Sequence, residues 1–210
     1  MADVVSICNL ALSYLGDAAN VVSIDAPEKS TQAELCRRLY PMAVSALLDM
    51  HDWSFATKRK AAPELVDEEG FGWRKVFQLP SDSLRVISVK EYRYQSVLRH
   101  PFAHVFPDHD PTQAEFEVKD GKIYSNVENA VVQYVSSNTD VSRFTPDFVV
   151  ALAYFLAHQL VGARVKGKEG QTLAQALFKQ FQVSLSIAKT KDASQEQKRI
   201  HFVPSWIKAR

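Results

Sequence analysis

The hydrophobic pattern changes period twice along this chain, and that constrains its fold more than any other feature. Apolar residues recur at helical spacing at both ends. The middle instead alternates and is rich in β-branched and aromatic side chains. Helices and strands bury different faces, so one element type cannot serve throughout. The expected fold class is α+β, mainly α: an antiparallel helical bundle with a small antiparallel β insertion and an extended C-terminal arm. The boundaries follow the changes of period. Residues 1–56 and 140–193 are expected to form the helical bundle domain, 57–139 the β-rich insertion, and 194–210 the arm.

A first helix is expected from Asp3 to Leu15, with Val4, Ile7, Cys8, Ala11, Leu12 and Leu15 on one face. Asp3 can cap it and Gly16 ends it. A second helix starts near Thr31, where Thr31-Gln32-Ala33-Glu34 has the form of a capping box. It continues towards Met50, and Pro41 predicts a kink or a break into two pieces. Residues 74–79 and 84–94 read as strands around the turn Pro80-Ser81-Asp82-Ser83. Asp120-Gly121 predicts a hairpin between Glu115 and Ser125, and 130–136 a further strand, for four or five strands in all. Thr145-Pro146-Asp147 opens a third helix, apolar almost all round from Phe148 to Val165 and therefore central. Lys166-Gly167-Lys168 links it to a fourth, packed antiparallel against it.

Composition excludes several classes. With 46% hydrophobic residues and a net charge of +1, the 210-residue chain is not generally disordered. Only two cysteines, Cys8 and Cys36, exclude a disulfide scaffold and suit a reducing compartment. No secretory signal pattern follows Met1. The longest apolar run, Phe148 to Ala157, is about half the ~20 residues of a membrane span. A soluble protein with no membrane partner is expected. Charge is uneven: Arg164 to Arg210 holds ten basic and three acidic residues, net +7, against −6 for everything before. The two ends therefore either meet different partners or face each other within one fold or oligomer.

The densest group of metal-ligand types is His100, His104, Asp108, His109 and Asp110. Pro101 and Pro107 argue against a helix aiming both imidazoles at one ion, and no zinc-ligand cysteine spacing occurs. No metal and no cofactor are expected. Nucleophile and phosphate-loop motifs are absent. Cys8 and Cys36 lie on apolar helix faces as inert hydrophobes. His51 and Asp52 are adjacent, so their side chains point apart. Gly70-Phe71-Gly72-Trp73 reads as a turn leading into a strand. No catalytic residue is assigned. The apolar end of the chain, Ile200, Phe202, Val203, Trp206 and Ile207, follows a polar stretch and calls for a covering surface.

Several stretches in order resemble the tail tubular protein A family, the head-to-tail adaptors of short-tailed phages. They are Ser6-Ile7-Cys8-Asn9-Leu10-Ala11-Leu12 with Leu15-Gly16, then Ala33-Glu34-Leu35-Cys36-Arg37-Arg38-Leu39-Tyr40. Next come His51-Asp52-Trp53-Ser54-Phe55-Ala56-Thr57-Lys58-Arg59, Phe71-Gly72-Trp73 and Leu79-Pro80-Ser81-Asp82-Ser83-Leu84-Arg85-Val86. The last is Phe144 to Leu160, with Pro146, Phe148 and Ala151-Leu152-Ala153. The resemblance implies a non-enzymatic virion protein at the head–tail interface, made in the host cytoplasm. It implies a ring of sister copies, a dodecamer, between the portal protein and a tail nozzle protein of the tail tubular protein B type. Genomic DNA would pass through the bore without sequence-specific binding. It further implies that the C-terminal arm grips the portal through Ile200, Phe202, Val203, Trp206 and Ile207. Two other functions stand beside it. One is a small cell-wall or polysaccharide hydrolase of the phage tail using acids such as Asp108, Asp110 or Glu115. The other is a DNA-binding module in the basic C-terminal half.

Overall fold

The computed structural model describes residues 3–18, 21–24, 30–91 and 114–195. Helix α1 spans Val4–Tyr14, and its N-cap Asp3 forms a reciprocal capping box with Ser6. Helix α2 spans Thr31–Asp49. Its cap is Ser30, whose hydroxyl accepts from the Ala33 amide, so Thr31 is the first helical residue rather than the cap. The helix runs through Pro41 unbroken. A proline removes a single intrahelical bond, whereas the buried face of Ala33, Cys36, Ala43, Leu47 and Leu48 holds both halves to the core.

Six strands follow among the described residues: β1 Thr57–Ala61, β2 Lys75–Gln78, β3 Ser83–Glu91, β4 Phe116–Lys119, β5 Lys122–Ser125 and β6 Ala130–Ser136. They form two three-stranded sheets, ordered β1-β6-β3 and β2-β5-β4. In the second, Phe77 pairs with Ile123 and Phe116 with Ser125, all antiparallel. Asp120 and Gly121 both take positive φ, 51° and 71°, as a two-residue hairpin turn requires. After a 3₁₀ turn at Val141–Arg143, helix α3 spans Pro146–Arg164 and α4 Gly167–Ser194.

This corrects the expected fold class. The described chain is 49% helical and 21% strand, with four helices and two antiparallel sheets, and is not a helical bundle with a small insertion. The discrepancy has a local cause. β1 reads Thr57-Lys58-Arg59-Lys60-Ala61 and is mostly exposed, so it carries no alternating apolar signal. It is an edge strand, where lysines discourage unwanted pairing. The arm expected from residue 194 is altered at its start, because Ser194 is the last residue of α4. Residues 196–210 lie outside the described residues.

The chain divides into two compact units. One lies within Met1–Thr57 and Val135–Gln195, and the described residues of the other are 58–91 and 114–134. In the first, α3 packs against α1, α2 and most extensively α4. α3 is long and apolar enough to cross a membrane by length and composition, and its Phe148, Leu152, Leu156 and Leu160 are buried among those helices. Its N-terminal end enters an aromatic cluster. Trp53 and Phe55 meet the Phe148 ring at centroid distances of 4.9 and 5.0 Å, and Phe144 meets it at 4.7 Å. At the other end of α1, Tyr14 stacks on Tyr154 at 4.2 Å. Asn9 clamps the following loop, donating to the Val21 carbonyl and accepting from its amide.

In the second unit both sheets contribute to one core: Phe77, Val89, Ile123, Val132 and Tyr134, with Ala62 and Ala130. The Tyr134 hydroxyl donates to Asp82 at 2.9 Å, and Lys58 meets the same carboxylate at 2.9 Å. Burial, and then the bond to Asp82, push the Tyr134 phenol up to about 12.

Two outcomes follow. Trp53→Ala removes a fully buried ring of the aromatic cluster around Phe148 and should lower stability by about 3–5 kcal/mol in chemical denaturation. Trp53→Phe should cost less, because it keeps an aromatic ring in the cluster and loses only part of the ring volume and the indole donation to the Leu47 carbonyl at 2.9 Å. The fold favours neutral Tyr134, so its contribution is complete below pH 10 and is lost as pH rises from 10 towards about 12, because the unfolded chain ionises first. Thermal unfolding of wild type and Tyr134→Phe should therefore converge across that window.

Candidate functional site

The last turn of α4 carries a buried acid, Asp192, 5% exposed. A carboxylate at a helix C-terminus opposes the dipole, so it needs other partners. The chain leaving α2 supplies them. The Ser54 amide donates to both Asp192 oxygens at 3.2 and 3.1 Å, and the Ser54 hydroxyl donates to Oδ1 at 2.6 Å. His51 Nε2 lies 3.3 Å from Oδ2, within ion-pair reach when the imidazole is protonated. His51 also packs edge-on against Trp53 at 4.9 Å. The acid opposite His51 is thus Asp192, distant in sequence, and not the adjacent Asp52.

Serine, histidine and aspartate meet here, but the order of contacts matters. In a hydrolase triad the imidazole stands between hydroxyl and carboxylate. Here the hydroxyl donates straight to the carboxylate, and the imidazole lies on the same carboxylate from another side. This arrangement ties the end of α4 to the turn after α2. Charge-assisted hydrogen bonds of this kind are about twice as strong as neutral ones.

Cys8 and Cys36 are both buried free thiols. They hydrogen-bond to one another, which, with burial, pushes the Cys8 thiol up and away from reactivity. Burial likewise pushes up the Tyr40 phenol, whose oxygen is enclosed without a hydrogen-bond partner.

The Gly70–Trp73 turn is more constrained than its sequence indicates. Phe71 takes φ +46° and Gly72 φ +100°. A Cβ on Gly70 would sit 2.2 Å from the Trp73 carbonyl oxygen. Left-handed backbone at a non-glycine residue costs roughly 1–2 kcal/mol, yet the Phe71 ring is 81% exposed and gains no burial in return.

Among the expected site residues, Ile200, Phe202, Val203, Trp206 and Ile207 lie outside the described residues, as do His100, His104, Asp108, His109 and Asp110. Glu115 is exposed, and its carbonyl accepts from the Ser125 hydroxyl at 2.8 Å. Among the described residues no group of three or more His, Cys, Asp or Glu is placed to hold a metal. No protein-family model matches this sequence, and no curated protein matches it.

Sequence reading missed Asp192, because nothing local links a polar residue near a helix end to a serine after another helix. Its one trace is an acid in a last turn otherwise suited to cations. Asp192→Ala should lower stability by about 2–4 kcal/mol, since it strips a charge-assisted cluster and leaves the Ser54 amide unpaired. Ser54→Ala, which keeps that amide bond, should cost about half as much. Urea unfolding monitored by Trp fluorescence checks both.

Proposed function

We propose that this protein is a structural head-to-tail adaptor of a short-tailed phage and not an enzyme. It forms a ring of sister copies between the portal and the tail nozzle, with DNA passing through the bore without sequence-specific contacts. After synthesis in the host cytoplasm it resides in the virion. The single observation that carries this reading is where the motif residues lie. Stretches that resemble the adaptors come from both ends of the chain, and their side chains pack on one another. Ile7, Cys8, Ala11 and Leu12 from α1 and Cys36 from α2 are buried, as are Ala151, Leu152 and Ala153 from α3. Trp53 and Phe144 close on Phe148. The part of the resemblance that comes from the two ends of the chain therefore consists of framework residues, which suits a protein whose work is to hold a shape, whereas Phe71 of the Phe71-Gly72-Trp73 stretch is exposed.

Helix α4 adds support. Its 28 residues extend about 42 Å at 1.5 Å per residue. It exposes Phe178, Val183 and Ile187, apolar side chains suited to contact with another protein.

The test uses the full chain and the portal protein encoded in the same genome. Mixed together, they should give cyclic particles with density beneath the portal in negative-stain images. Failure both to bind the portal and to form any cyclic assembly would overturn the reading. Removal of residues 195–210 should leave the thermal unfolding midpoint nearly unchanged. It should weaken portal binding by more than about 30-fold, the equivalent of one ~2 kcal/mol interface anchor. Unchanged binding would remove the arm from the interface.

A further inference from the structure

We propose that the loop from Glu64 to Trp73 of one copy docks on the exposed face of α4 of a second copy, with Val66 and Phe71 against Val183 and Ile187. This rests on the ring reading above and names the contact that would build the ring.

The loop is constructed to present apolar groups to solvent. Phe71 and Val66 are 81% and 84% exposed. Phe71 is held in left-handed backbone between two glycines, and Gly70 admits no side chain because of the Trp73 carbonyl. The Trp73 amide donates to Gly70 O at 2.9 Å, closing the turn, and the Trp73 indole donates to Glu117 at 3.3 Å. Ion pairs hold the loop at its start and its middle: Lys75 to Glu64 at 2.7 Å and Lys122 to Glu68 at 2.6 Å. The strain at Phe71 is not offset by burial, because the residue is 81% exposed. Strain of this kind clusters at functional positions, and an exposed aromatic ring makes contact with another surface the function that fits it.

Charge selects the occupant. Asp67 and Glu69 lie between the two apolar residues of the loop, beside Glu68 that Lys122 already answers, so its partner should be apolar and rimmed by cations. Helix α4 offers that surface. Lys179, Val183, Ile187 and Lys191 follow one another at four-residue steps and form a single ridge. Its two apolar members are about half exposed and are bracketed by the lysines, of which Lys191 also reaches Asp147 at 2.6 Å. The loop and the helix are different surfaces of the same chain. A contact between them across copies is heterologous, the head-to-tail kind from which rings are built when the rotation between copies closes.

The experiment uses full-length chains. Phe71→Asp and Ile187→Glu should each weaken self-association more than 10-fold in sedimentation, with unchanged circular dichroism. Phe71→Cys mixed with Ile187→Cys should give a disulfide-linked dimer under a mild thiol oxidant, and neither variant alone should do so. Cross-linking of Phe71→Cys by itself would mean a loop-to-loop contact and would overturn the proposal. Wild-type rings on the portal, with no cross-link in the mixture and no effect of Phe71→Asp, would overturn this contact and leave the adaptor reading standing. The mixed cross-link with neither portal binding nor any cyclic assembly would keep the contact and overturn the adaptor reading. Absence of self-association in every condition would overturn both.

Discussion

The indole of Trp53 is the point on which the helical unit depends. It is fully buried, and its Nε1 donates to the Leu47 carbonyl at 2.9 Å, capping the end of α2 with a side chain. Its own carbonyl accepts from the Ala56 and Thr57 amides and from the Thr57 hydroxyl. One residue thus ends a helix, opens the following strand and fills the space beside Phe148. A helix end leaves carbonyls without intrahelical partners, and here a core side chain meets one of them. Position and packing are satisfied by the same group, so neither can be altered alone.

The polar interior follows the same economy. Asp192 would be costly to bury by itself, and it is buried because Ser54, one residue after Trp53, turns its amide and hydroxyl towards it. Tyr134, Asp82 and Lys58 repeat the device in the second unit. In each case the polar group is answered by a partner far away in sequence. The exposed surface behaves differently. Phe71, Val66, Val183 and Ile187 keep apolar area in water, and the backbone at Phe71 bears strain for it.

How far the fold was legible depended on whether the signal was local. The Asp3 cap, the Asp120-Gly121 turn and the Pro146 start of α3 all appear in the structure where the sequence places them, because each is decided within four residues. Strand β1 was hidden because its cations face solvent at a sheet edge. Of the kink or break expected at Pro41, the break did not occur, because tertiary burial on both sides of the proline outweighs one missing hydrogen bond. The site was less legible. The Gly70–Trp73 turn was visible as glycines, but not as a braced display of Phe71.

By itself, then, the sequence determined which segments are helical, where most strands and turns fall, and which faces are apolar. Those properties come from backbone preference and hydrophobic period, which act over a few residues. Only the tertiary structure decided that the strands form two sheets around one core, that His51 faces Asp192 rather than Asp52, and that Phe71 stands in solvent. Those outcomes depend on which distant surfaces exclude water together, and no local pattern encodes that choice.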